Sequence, residues 1–190
     1  MRYASPVAVA LVIAACSIER AESGRPPGPP TAVDSLERIE EDSIARGQVL
    51  AALHTYYRRF SERDWRTIHL SFWPNATLTT VRRPPGERGE RVVVTTLDEF
   101  LRRTRDGPDQ LAGFGEEMLH SHIETYGDLA SAWVVFQARF RVTPDSVAIY
   151  RGVDAFTLLR HNGQWRIVSL TWTRERPDRP LVGPWAPDSR

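Results

Sequence analysis

Residues 147–173 read VAIYRGVDAFTLLRHNGQWRIVSLTWT. Tyr150, Asp154, Phe156 and Leu158 share one parity, and Asn162-Gly163 breaks the alternation with the residue pair that tight hairpins use. The stretch therefore reads as two antiparallel strands, Val147 to Arg160 and Gln164 to Thr173. Upstream the same period of two marks strands over Met118 to Tyr126 and Leu129 to Arg141, with Gly127-Asp128 and Pro144-Asp145 as turns.

Further upstream the period lengthens. Val49, Leu50, Leu53, Tyr56, Tyr57 and Phe60 recur at three- and four-residue steps, which puts an apolar-aromatic face on one helix. Asp64 is placed to cap a second helix, Trp65 to Trp73, that Pro74 and Asn75 would end. Ala76 to Val81 and Arg91 to Thr95 read as strands around the polar loop 84–89, whose neighbouring Arg82, Arg83, Arg88 and Arg91 form a solvated cluster. Thr96-Leu97-Asp98-Glu99 is a capping box, so a third helix is expected to about Arg105, with Gly107 as its stop. Helices first and an antiparallel meander last give an α+β fold, with the helices on one face of the sheet.

Both faces of the meander carry apolar residues. Ala130, Ala132, Val134, Phe136, Ala138 and Phe140 lie opposite Trp133 and Val135, and Val168, Leu170 and Trp172 alternate against Trp165 and Ile167. Two apolar faces need two covers. The helices supply one; a second copy of the chain, giving a homodimer through the outer sheet face, or a docked C-terminal tail would supply the other.

The chain has 190 residues and a net charge of +1 from 25 basic and 24 acidic side chains, and every base is Arg. That balance lacks the basic footprint of a nucleic-acid binder. At the start, Arg2 precedes nine uninterrupted apolar residues, Val7 to Ala15, and then Cys16. Nine residues are too few to span a bilayer but suit a secretory signal. Ile13-Ala14-Ala15-Cys16 resembles a bacterial lipobox, which implies cleavage after residue 15 and lipidation of Cys16. Ser17 stands where an Asp would imply inner-membrane retention, so an outer-membrane, periplasmic-side address is expected in a host with two membranes. Cys16 is the single Cys in the sequence, so the mature domain has no intramolecular disulfide. The expected organisation is a signal peptide (1–15), a lipidated Pro/Gly-rich tether with an acidic, helix-prone stretch (16–43), a folded domain (44–174) and a Pro-rich tail (175–190).

The order helix, helix, hairpin, helix and meander, with Tyr56 on the first helix, Asp64 opening the second and Asp154-Ala155-Phe156 leading to Gly163-Gln164-Trp165-Arg166-Ile167, resembles the nuclear transport factor 2-like superfamily, nearest in style to its SnoaL-like members. The resemblance implies a cone-shaped curved antiparallel sheet that encloses a pocket with three helices, and pairing through the outer sheet face. Compared with the ketosteroid isomerase branch, Tyr56 lies eight residues before Asp64, and Asp154 and Trp172 fall at the oxyanion-hole and last-strand places. The general-base place falls on Thr80, whose hydroxyl does not accept a proton near neutral pH as a carboxylate does. Asp154 and Tyr56 are then candidate hydrogen-bond donors to a carbonyl-like atom. A satisfied core Tyr and an Asp paired with an Arg are the structural alternatives.

His120, His122 and Glu124 share one strand face, with Met118 and Tyr126 at its ends. They read as a pocket row, with His122 replacing the missing base, or as a solvated or dimer-facing row. Their spacing of about 6 to 7 Å is wide for one metal, and neither a metal nor a cofactor is expected. Trp172, Phe156, His120 and Trp73 are candidate ligand contacts. There is no phosphate loop, nucleophile elbow or dinucleotide fingerprint. The expected function is a membrane-tethered, non-catalytic pocket for a small apolar or carbonyl-bearing molecule; the alternative is an isomerase, dehydratase or cyclase using Asp154, Tyr56 and His122.

Overall fold

A computed structural model describes residues 32–83, 86, 88–105, 113–143 and 145–186. The expected signal peptide, Cys16, the Pro/Gly-rich tether, Pro144 and the expected helix stop at Gly107 lie outside them. In chain order the elements are α1 (Ala32–Ser61), a 3-10 turn (Ile68–Ser71), β1 (Phe72–Arg82), β2 (Arg91–Thr96), α2 (Leu97–Arg105), β3 (Gly115–Tyr126), β4 (Leu129–Thr143), β5 (Ser146–His161) and β6 (Gln164–Arg174). The six strands form one sheet in the order β2-β1-β6-β5-β4-β3, antiparallel throughout except for the parallel pair β1–β6.

The acidic segment before Ile44 is continuous with the packed helix. Its Val33, Leu36, Ile39 and Ile44 are exposed, whereas Ala45, Val49, Leu53, Tyr56, Tyr57 and Phe60 are buried against the sheet. The helix stops where Arg63 adopts a positive φ of 56°. Asp64 then accepts a hydrogen bond from the Thr67 N–H at 3.2 Å and another from the Thr67 hydroxyl, and the latter holds its carboxyl below the usual carboxylate range. In place of the expected α-helix over Trp65 to Trp73 there is a single 3-10 turn, and Pro74 and Asn75 lie inside β1. Proline is tolerated there because the β1–β6 ladder is interrupted between Phe72 and Thr77, so no sheet bond is lost. Thr96 Oγ1 accepts from the Glu99 N–H at 3.3 Å, the first half of the expected capping box at α2.

Two β-bulges change how the faces read. In β6 the pairing steps from Leu158–Ile167 to Thr157–Ser169, leaving Val168 as an extra residue. Trp165 and Ile167 therefore share the inner face with Leu170 and Trp172, and the expected opposition of these two sets does not exist. In β3 the step from Met118–Phe136 to His120–Val135 inserts Leu119, so Met118 turns inward while His120, His122 and Glu124 turn outward.

The outer face does have a cover. Beyond β6, Leu181 N–H donates to Glu175 Oε1 at 3.0 Å, and a 3-10 turn (Gly183–Trp185) sets the Trp185 ring 5.4 Å from Trp133. The Pro184 carbonyl lies 2.8 Å from His120 Nε2. The tail, one of the two covers the sequence allows, docks here, and the outward-facing Val135 is fully buried.

Gly152 on β5 faces Phe136 across the β4–β5 pair. A Cβ there would sit 2.6 Å from Phe136 Cζ and closer still to the Thr173 carbonyl, so the ring lies flat on the strand only because the residue is glycine. Gly152→Ala is expected to destabilise the fold by about 3 kcal/mol, the upper range for overpacking, and to lower the melting temperature by several degrees; an unchanged midpoint would show that both the Phe136 ring and the Thr173 backbone are free to move aside.

Candidate functional site

Between α1, α2 and the inner face of the sheet lies a cavity of about 100 Å³. Six of its ten lining side chains are aromatic: Tyr56 and Phe60 from α1, Phe100 from α2, and Phe136, Tyr150 and Trp172 from the sheet. Edge-to-face and stacked contacts fix these rings. Phe100 lies 6.0 Å from Trp172 and 6.1 Å from Phe60, and Phe136 lies 6.2 Å from Tyr150.

Three lining groups are charged or chargeable: Asp154, Glu116 and Arg174. Strand parity puts Asp154 inward, paired across to Val134 on β4 and Trp172 on β6, and it is 4% exposed. Its partner is no arginine but Tyr57, whose hydroxyl donates to Oδ2 at 2.5 Å. Burial pushes the Asp154 carboxyl up to about 7, against the opposing pull of the Tyr57 hydrogen bond. The Tyr57 phenol is itself held well above its ordinary value by burial and then by the neighbouring Asp154 and Glu116. Below neutral pH the pocket thus contains an uncharged carboxylic acid. Tyr57 holds one of its oxygens, and the acid has an O–H donor of its own.

Asp154, Tyr56 and Trp172 are brought together as lining residues. The hydrogen bond to Asp154, however, is made by Tyr57 and not Tyr56, whose ring packs against Phe72 and Phe156 at 5.6 Å each. Phe156 is a correction too: it is 2% exposed beneath the two tyrosines and supports the cavity without lining it.

The other candidates lie elsewhere. His122 is on the outer face with its side chain 69% exposed, its Nε2 3.2 Å from Glu124 Oε1, so it does not reach the pocket as a base. His120 is on the same face, bonded to the tail. Trp73 donates from Nε1 to the Leu159 carbonyl at 2.9 Å and lies under Arg166, also away from the cavity. Thr80 turns inward, but its hydroxyl donates to the Trp172 carbonyl at 2.9 Å. Among the described residues no cluster of three His, Cys, Asp or Glu could hold a metal ion, and no helix is long and apolar enough to cross a membrane.

Sequence reasoning missed Tyr57, Glu116, Phe100 and Arg174. Glu116 faces inward because the bulge at Leu119 separates its parity from that of the histidines. Arg174 keeps the parity of Trp172 but lies one residue past the expected end of the last strand. Tyr57 is on the expected core face, but the spacing to Asp64 draws the assignment to its neighbour.

No curated protein matches the chain. Among solved structures it resembles the association domain of C. elegans CaMKII, at 16% identity, a TM-score of 0.57 and coverage of 70% of this chain and 98% of that one. It also resembles a protein named as a putative scytalone dehydratase from Novosphingobium aromaticivorans, at 13% identity and TM-score 0.57, covering 77% and 95%. An NTF-2 like protein of unknown function from Silicibacter pomeroyi matches at 22% identity and TM-score 0.50, covering 70% and 98%. At these identities the likeness shows the fold alone. The family model described as "Putative lumazine-binding" matches residues 45–173, more than half of the sequence, and the chain accordingly belongs to that family, with the fold of the NTF-2 like structures.

Proposed function

We propose that the chain is an extracytoplasmic domain, tethered through a lipid on Cys16, that binds a small planar carbonyl-bearing molecule without transforming it. The observation that carries the binding reading is a buried Asp154, its carboxyl pushed up to about 7 by burial, in a cavity lined by six aromatic side chains. Ring faces stack on a planar ligand, and the neutral acid donates to its carbonyl. The family's description points the same way, to a heterocycle with carbonyl groups. The non-catalytic reading is supported by the Thr80 hydroxyl, committed to the Trp172 carbonyl, and by His122 on the far face. One observation favours the enzyme reading: a carboxyl titrating near 7 suits an acid, with Glu116 in place of His122 as base. A homodimer through the outer sheet face has the exposed Val147, Ile149 and Leu159 to bury beside the docked tail.

Acetophenone, a one-ring ketone, is a suitable probe. Its affinity, measured by calorimetry, is expected to fall about tenfold between about pH 6 and pH 8 as Asp154 ionises, and Asp154→Asn is expected to flatten that dependence. Trp172→Ala is expected to weaken binding far more than Trp65→Ala, because Trp65 packs behind Phe60 outside the cavity; equal losses would indicate general destabilisation. In D2O the chain is expected to leave the methyl protons of the ketone unexchanged. Exchange that Glu116→Gln abolishes would establish the enzyme.

The same carboxyl fixes a stability profile. The folded-state value, about 7, exceeds the ordinary 3.8, so the folded chain binds more protons between those limits. The contribution of this group to stability is expected to be fully present below about pH 4, to decline towards pH 7 and to level off above it, while Asp154→Asn removes that decline in denaturant titrations. In a bacterial host, Cys16→Ser is expected to move the chain from the membrane to the soluble fraction; continued membrane association would rule out the lipid tether.

A further inference from the structure

Arg174 ends β6 on the inner face, opposite Gly152, at the mouth of the cavity. Its guanidinium carbon lies 4.1 Å from the centre of the Tyr150 ring. Some other surface arginines meet carboxylates, as in Arg139–Glu117, Arg160–Asp128 and Arg176–Glu90, and Arg166, which also lies over a ring, donates to Gln164. Among the described residues Arg174 has the ring and no ion pair or hydrogen bond. A guanidinium over an aromatic face keeps its N–H donors for a second partner, in the fork that matches a carboxylate.

The rest of the cavity fits that edge. Glu116 lies on β3, three strand spacings of about 4.8 Å from β6 along the sheet, so the cation of the cavity stands on the β6 side. The volume of about 100 Å³ is less than the ~150 Å³ of an engineered cavity that takes benzene, so no more than one ring fits and its polar group stays at the mouth.

We propose that the ligand is a one-ring aromatic carboxylate, its ring among Phe60, Phe100, Phe136 and Trp172, its carboxylate on Arg174 and a carbonyl directed at Asp154. This rests on the carbonyl-binding pocket already proposed and adds the anionic group. The test compares 4-acetylbenzoate with 4-acetylbenzamide on the full chain by calorimetry at about pH 6, where both probes keep the ketone and one keeps the charge. The acid is expected to bind about tenfold tighter or better, with the ratio shrinking between about 0.05 and 0.5 M salt. Arg174→Gln is expected to collapse the ratio towards one, and Arg174→Lys to restore part of it. Equal affinities in the native chain would overturn the anionic class and leave the pocket reading standing. A ratio that survives in Arg174→Gln would overturn the assignment to that residue. Failure of both probes to bind would overturn the pocket reading and this proposal together.

Discussion

The Tyr57 hydroxyl bonded to the Asp154 carboxyl joins the helix to the sheet at the point where the fold encloses space. An unpaired carboxylate among Phe156, Leu170 and Trp172 would cost several kcal/mol. The hydrogen bond and the proton together remove most of that cost. They also dictate what surrounds the acid. Tyr57 reaches Asp154 only if α1 lies with its aromatic face down on β5, and that placement brings Tyr56 and Phe60 over the cavity. This contact orients the helix together with Ser61 on the Glu116 backbone and Gln48 on Trp165 Nε1, among sheet contacts that are otherwise apolar and non-directional.

The sheet contributes by backbone as much as by side chain. Gly152 lets the Phe136 ring lie on the strand surface, and the Phe136 and Tyr150 rings then form a continuous aromatic floor beside Arg174. On the opposite side of the sheet, Gln137 and Arg139 donate to Glu117, and Arg151 donates to Gln137. This polar lattice and the docked tail cover part of the outer face, while Val92, Val94, Val147 and Ile149 stay exposed on the rest of it. The two faces have diverged in chemistry although the strands alternate regularly in sequence.

Much of this was legible from residue types. The four long strands, the Asn162-Gly163 and Gly127-Asp128 turns, the α1 face and the Asp154 parity all derive from local periodicity, which depends on nothing far away. The fold could be reached from that order of elements; the family comes from the match over residues 45–173. What periodicity does not carry is a change of phase. The bulge at Val168 made β6 look two-faced, and the bulge at Leu119 made Met118 a neighbour of His120. Tyr56 and Tyr57 are adjacent on the same helix face, and only the tertiary position of Asp154 decides which hydroxyl it meets. The short stretch after Asp64 fails as an α-helix because Phe72 is taken into the sheet beside Ile167, and that pairing lies almost a hundred residues away.

Bulges also separate two properties of the pocket that side chains alone would tie together. Each adds a residue to one strand while the pairing on either side of it keeps its alternation against the partner strand, so the set of inward side chains is preserved. Removing Val168 would therefore leave Trp165, Ile167, Leu170 and Trp172 on the inner side and take away only the local bend. Cavity depth in this fold is accordingly a property of chain length as well as of side-chain bulk. A lineage of such proteins has two separate adjustments available: substitution at the lining positions changes what the walls recognise, and gain or loss of a single backbone residue in β3 or β6 changes how far apart those walls stand.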